Sequence, residues 1–247
     1  MEKSTQMGMN RTGVQMSPTD VKQMQQDAGR LSSLQDTQVD VGSEFDAVEM
    51  RLKYIQEADP VGSVPLPGTM KGAMKAGMQK IGGRNPEVLI DKLGERLAFE
   101  RSGTRLYEAL IVKCRGAAGE GAINISIDQL LHIHGEEARH FKLVNDTMEK
   151  LGADPTAMTP CANTAGVASM GIMQVITDPR TTVPQCLSAI LTAELADNAG
   201  WELLIQLANE MGQDDMVAQF QEALASEQEH VAIIRQLLQD AVLAEAT

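Results

Sequence analysis

Aromatic side chains are scarce in this chain. Its 247 residues hold one Trp, two Tyr and four Phe, 3% of the total, although 43% are hydrophobic. A core of that size must be built from Leu, Ile, Val, Ala and Met, a mixture that favours packed helices over sheets. Cysteine is scarce too. Cys114, Cys161 and Cys186 are odd in number, far apart and without a C-x-x-C pair, which argues against a disulfide framework and a zinc or iron–thiolate site. Positive charge is short: 21 Lys and Arg face 34 Asp and Glu, for a net charge of −13. That balance argues against a sequence-independent grip on nucleic acid and against adhesion to anionic membranes. No apolar run reaches the roughly 18 residues of a spanning helix. The opening "MEKSTQMGMNRTG" lacks the apolar stretch of a secretory signal. The chain therefore reads as cytoplasmic, with neither nucleic acid nor membrane as partner.

The pattern divides the chain into an extension, 1–85, and a helical domain, 86–247. The extension's first 40 residues are polar and read as partly disordered, with a weak helix over "VKQMQQDAGRL" after "SPTD". A better helix covers "EFDAVEMRLKYI", where Ser43 caps and Phe45, Val48, Leu52 and Ile55 recur at helical spacing. "VGSVPLPG" is a linker. Met70, Met74 and Met78 then make a stripe suited to packing on the rest of the protein. From Asn85 four long amphipathic helices follow, over 85–116, 126–152, 183–212 and 213–246, each with Asn, Ser, Pro or Gly punctuation at its ends. The first two and the last two are joined by short links. The stretch from Ala153 to Val183 is long, with a short helix expected near "AGVASMGIMQVI". This order predicts an all-α, antiparallel four-helix bundle with a long central crossover.

The two halves repeat. "FERSGTRLYEAL" aligns with "AELADNAGWELL", matching Glu100 to Glu194, Tyr107 to Trp201 and Glu108 to Glu202. Each half then carries a Glu-x-x-His pair: Glu137 with His140, and Glu227 with His230. On a wheel of about 100° per residue, Leu93, Leu97, Thr104 and Tyr107 fall within roughly 60° of Glu100. Leu130, Phe141, Val144 and Met148 surround Glu137. Leu187, Ile190, Trp201 and Ile205 flank Glu194, and Phe220, Leu224, Val231 and Ile234 flank Glu227. Four carboxylates and two imidazoles thus point into one apolar core. Bare carboxylates there would be desolvated and mutually repulsive. Divalent cations remove that objection. Two Glu from two helices plus a Glu-x-x-His from each of two others is the ligand set of a di-iron or di-manganese carboxylate site.

With these residues in place, the chain resembles the ferritin-like superfamily: rubrerythrin, bacterioferritin, ferritin, manganese catalase and the di-iron oxygenases. The resemblance covers residues 86 to about 243. It implies a ferritin-like bundle in which Glu137 and Glu227 bridge two Fe ions, or two Mn ions. Glu100, Glu194, His140 and His230 are then terminal ligands. Tyr107 matches a tyrosine that many ferritins keep near the iron pair. The sequence departs from the family in four ways. No rubredoxin cysteines follow the bundle, Asp197 stands where rubrerythrin has a further Glu, the ferritin fifth helix is missing, and 85 residues precede the bundle.

The resemblance implies an oxidoreductase that reacts with O2 or H2O2, of ferroxidase or peroxidase type. An electron-donor protein and a homodimer or other small homo-oligomer are implied partners. Tyr107 and Trp201 are the candidate electron-transfer side chains. The other classes are oxygenation of an organic substrate, manganese-dependent peroxide disproportionation, and a bundle that only binds metal or a partner. Among the remaining polar residues, Arg96 is expected to pair with Glu100 or reach solvent. Asn198 is expected to support the ligands, His132 and His134 to lie on the surface, and Cys114 and Cys186 to fill the core.

Overall fold

A computed structural model describes residues 9–10, 13–14, 22–23, 26, 44–65, 68, 72, 85–117 and 125–246. The chain divides into two compact units, Met1–Ala58 and Asp59–Thr247. In the first, Met9–Asn10 (β1) pairs antiparallel with Gly13–Val14 (β2), and Glu44–Glu57 (α1) is helical. Val48, Leu52 and Ile55 of α1 are exposed, so the apolar stripe read there has no cover within the described part of this unit. The Ser43 cap, most of the "VKQMQQDAGRL" helix and the Met70–Met78 stripe lie outside the described residues.

Among the described residues of the second unit, every regular element is a helix. Its helices are Pro86–Ala117 (α2), Ile127–Leu151 (α3), Pro160–Thr177 (α4), Val183–Glu210 (α5) and Asp214–Ala246 (α6). The sequence states their boundaries in the language of caps. Ser126 accepts from the Gln129 N–H, and Gly152 closes α3 in the left-handed conformation at φ 80°, which spares a side chain the clash it would meet there. Thr182 and Gln185 form a reciprocal capping box at the start of α5. Among the described residues, no helix is long and apolar enough to cross a membrane.

Helix α4 is longer than the short helix expected in the connection. Thr159 caps it by accepting from the Ala162 N–H, and Pro160 opens it. Gly166, Gly171 and several Thr and Ser residues give it weak intrinsic propensity, so packing must supply the rest. That packing is on α2. The Cys161 N–H donates to Asp91 Oδ1 at 2.9 Å near one end, and Lys113 donates to the Asp178 and Thr181 carbonyls near the other. Helix α4 therefore runs alongside α2 in the same direction. Helix α5 packs on α6 and on α2, and α3 packs on α2 and α6.

The core has two apolar clusters. One gathers Leu106, Leu110, Leu130, Ile133, Leu187, Ile190 and Ile234; the other gathers Leu93, Leu97, Val144, Met148, Trp201, Leu204 and Phe220. Along every helix of the bundle the acidic positions fall between them. Glu100 stands between Leu97 and Leu106, Glu137 and His140 between Ile133 and Val144, Glu194 between Ile190 and Trp201, and Glu227 and His230 between Phe220 and Ile234. A polar layer thus cuts the core across its middle. Cys114 and Cys186 are buried in the first cluster, as read from sequence. Burial, with Cys186 adjacent, pushes the Cys114 thiol up to about 11, so it stays protonated packing.

Phe220 is fully buried against Trp201, with ring centroids 5.4 Å apart. Phe220→Ala is expected to cost about 3–5 kcal/mol. Urea unfolding should show this as a lower midpoint with an unchanged slope.

Candidate metal centre

All six residues singled out in the sequence reach the polar layer. Glu100, Glu137, His140, Glu194, Glu227 and His230 are each at most 7% exposed. Their ligand atoms fall into groups within 4.8 Å of one another. One group is Glu137, Glu194, Glu227 and His230; a second is Glu100, His140 and Glu227. Glu227 belongs to both. Its two oxygens divide between the imidazoles, with Oε1 2.6 Å from His140 Nδ1 and Oε2 3.0 Å from His230 Nδ1. A third group joins Glu100, Glu137 and Glu227 to Asp197. Helices α3 and α6 supply the Glu-x-x-His pairs and lie antiparallel, so each pair faces the other across the layer.

The carboxylates are under-satisfied. Both oxygens of Glu100, both of Glu137 and Oε2 of Glu194 are buried without a hydrogen-bond partner. The nearest cationic groups to Glu100 and Glu137 stand off at 3.4 Å: Arg96 Nε from Glu100 Oε1, and His230 Nδ1 from Glu137 Oε1. Buried polar atoms are normally paired, and five orphaned oxygens in one layer need a compensating partner. Helix α2 makes room for one of them. Gly103 faces Glu137, and a Cβ on residue 103 would collide with the Glu137 carboxylate.

Electrostatics of the metal-free layer follow from this crowding. Burial pushes the Glu100 carboxyl well above its usual range, aided by Asp197 and opposed by Arg96. Burial and the Glu137 and Glu227 charges do the same to Glu194, and burial raises Asp197 and Glu137. Glu227 goes the other way. Burial opposes its ionisation, but hydrogen bonds with His140 and His230 hold it at about 2. Burial would lower His230, yet its contacts with Glu137 and Glu227 push it up to about 11. The metal-free layer therefore stores protons where a cation's charge would serve.

Several supporting residues were not assigned a role by sequence reading. Glu136 Oε2 lies 3.0 Å from His230 Nε2, which turns His230 Nδ1 toward the carboxylates. A carboxylate on the far nitrogen of a metal-binding imidazole fixes its orientation and raises its basicity. Glu136 sits beside Glu137 in sequence, and only its partner on α6 marks it out. Asp197, read as a departure from a family pattern, is buried and pairs with Arg96. Arg96 does not reach solvent: it is 4% exposed and also faces Glu100. Asn198 donates to the backbone carbonyls of Glu194 and Glu227, tying two ligand-bearing helices together as expected. Tyr107 donates its hydroxyl to Glu194 Oε1, and burial beside Glu194 raises the phenol well above its usual value. Trp201 sets its ring edge-on to His140 at 5.8 Å, with its indole N–H unpaired. His132 is exposed as expected, whereas His134 is half-buried and faces Glu108 at 3.4 Å. Phe141, Ile205, Leu224 and Val231, expected inside, are half-buried, the first three against the second apolar cluster.

No family model, curated protein or solved structure matches this chain.

The proton storage has a sign. Glu100 and Glu194, pushed well above their usual range by burial, keep protons in the folded state up to a higher pH than in the unfolded chain. His230 acts in the same direction between about 11 and its ordinary 6.5 and adds no further change below that. The metal-free protein should therefore gain stability as pH falls from 7.5 to 5.5, by about 1.4 kcal/mol per pH unit for each proton held only when folded. Glu227 reverses the trend only as pH falls from its ordinary 4.5 toward about 2. Thermal melts of chelator-treated protein at pH 7.5, 6.5 and 5.5 read this directly, and a flat or falling melting temperature would contradict the assignment of buried carboxylates.

Proposed function

We propose that this chain is a ferritin-like di-iron carboxylate protein that binds two Fe ions in the polar layer and reacts with O2 or H2O2. One observation carries the reading: five buried carboxylate oxygens without a hydrogen bond share a layer with two imidazoles, and Glu227 is common to all three groups of candidate ligand atoms. The donor set is hard oxygen with two nitrogens, which suits Fe(II) and Mn(II) and lacks the thiolates that zinc or copper(I) sites favour. In this reading Glu100, His140 and Glu227 hold one ion, and Glu137, Glu194, Glu227 and His230 hold the other. When bound, an Fe(II) pair would supply two electrons, which with two protons would reduce dioxygen to hydrogen peroxide or hydrogen peroxide to two waters.

The chain's own residues do the rest. Glu136 fixes His230 with Nδ1 toward the layer. Tyr107 keeps its proton and donates a hydrogen bond to Glu194 Oε1, so an oxidisable ring contacts one proposed ligand directly. Trp201 places a second against His140 at the opposite apolar cluster. These two rings are the proposed routes for electrons from an outside donor protein. The two apolar clusters exclude water from either side of the layer. A cleft of about 1140 Å³ lined by Ile127, Ile176 and Val183 lies between the ends of α2 and α4 and contains none of the six ligand residues. It supplies no argument for an organic substrate beside the pair.

The full chain should take up two Fe(II) or two Mn(II) per molecule under anaerobic conditions. Its Fe(II) form should oxidise in air faster than free Fe(II). Glu227→Ala should abolish two-ion binding, because each ligand group loses a member; undiminished stoichiometry in that variant would sink the assignment. Gly103→Ala offers a cleaner separation. Alanine improves helix propensity by up to about 1 kcal/mol, but its Cβ displaces the Glu137 carboxylate. The metal-free variant should be at least as stable as the parent while binding metal at least tenfold more weakly, read by chemical denaturation and by metal titration.

A further inference from the structure

The duplication makes the two ligand groups comparable position by position. Glu100 and Glu194 correspond, as do Tyr107 and Trp201; in the same register Arg96 corresponds to Ile190, and Gly103 to Asp197. The ligands repeat but two of their neighbours do not. At the group of Glu137, Glu194, Glu227 and His230, the supports are a neutral donor and an anion: the Tyr107 hydroxyl on Glu194 and the Glu136 carboxylate behind His230. Both favour a bound cation. At the group of Glu100, His140 and Glu227, the support is a resident cation. Arg96 Nε lies 3.4 Å from Glu100 Oε1, and its Nη1 bonds the Asp197 carboxylate and carbonyl.

Arg96 has no easy way out. Its guanidinium lies over the Phe99 ring at 4.5 Å and the Trp201 ring at 5.6 Å. Its Nη1 comes within 2.8 Å of where a Cβ on Gly200 would stand, so the slot exists only because residue 200 has no side chain. A guanidinium does not shed its proton in a protein. A metal ion at the Glu100 group must therefore bind beside a fixed positive charge, and the Asp197 carboxylate is what offsets that charge.

We propose that Arg96 and Asp197 make the two positions unequal: the His230 position fills first, the His140 position fills at least tenfold more weakly, and Asp197 sets how weakly. This rests on the di-metal reading above. Arg96 and Asp197 act here as positioning residues, through Glu100. A pair that only stabilised the fold would move both positions together or neither.

The test is a titration of the full chain, freed of metal, with Mn(II), counting free ion by its room-temperature electron paramagnetic resonance signal. The wild type should bind two ions in two separable phases. Asp197→Asn is nearly isosteric and leaves the Arg96 charge directed at Glu100. It should leave the first phase within about twofold and weaken the second by a further tenfold or more. Arg96→Met should tighten the second phase toward the first, and Arg96→Met with Asp197→Asn, which restores charge balance, gives a foldable control for the same direction. His140→Gln should remove only the weak phase, and His230→Gln should remove the tight one. Two equal phases in the wild type, or equal weakening of both by Asp197→Asn, overturns the inequality while the di-metal reading stands. No Mn(II) or Fe(II) bound at all overturns both.

Discussion

A carboxylate removed from water needs a partner, and this fold buries five of them at one level: Glu100, Glu137, Glu194, Asp197 and Glu227. One guanidinium, from Arg96, is the fixed positive charge among them, and the two imidazoles add positive charge only when protonated. The rest of the bundle can be read as the support for that layer. Apolar clusters above and below hold the helices in register, and Asn198 bonds the backbone of α5 and α6 at the ligand level. Gly103 and Gly200 give space on α2 and α5 where a Cβ would intrude. Two glycines inside long helices each cost about 1 kcal/mol of propensity. Both face side chains of the layer, so that cost is tied to the site and not to the fold.

The sequence exposed most of this because burial and polarity conflict in it. A Glu on an apolar helical face is a local contradiction, and four of them in duplicated halves made a pattern that chance accounts for poorly. Periodicity located the long helices of the bundle and the six side chains that meet in its polar layer. It could not find the supports. Glu136 lies one residue from Glu137 and so points about 100° away on the helix; its use depends on where α6 brings His230. Arg96 could have turned either way from α2, and only the slot beside Gly200, on α5, decides that it turns inward. Helix α4 was underestimated for a related reason: its Gly, Thr and Ser content speaks against a helix locally, and the α2 surface that it covers is remote in sequence.

The duplicated halves also explain why the layer is not symmetric. A repeat fixes which helices carry the layer's Glu and His side chains and in what order, but the neighbours of each come from both halves. The Glu194 side meets Tyr107 of the first half, whereas the His140 side meets Trp201 of the second. Arg96 and Asp197 have no counterparts of the same type in the other half, where Ile190 and Gly103 stand in register. The metal-free charge state already shows the split. Glu227, between the imidazoles, is held low by their hydrogen bonds, while burial pushes up Glu100 beside Arg96 and Glu194 beside Tyr107.

That split bears on what the layer can do chemically. A set of carboxylates balanced wholly by protons would be a reservoir that any small cation could discharge. Here the balance is partly fixed, because the Arg96 charge is permanent and enclosed by Phe99, Trp201 and Gly200. Fixed charge is insensitive to pH, whereas the protons on Glu100 and Glu194 must leave before those carboxylates can bind as anions. Cation uptake and proton release are therefore coupled at this layer, and acid must oppose the one by opposing the other.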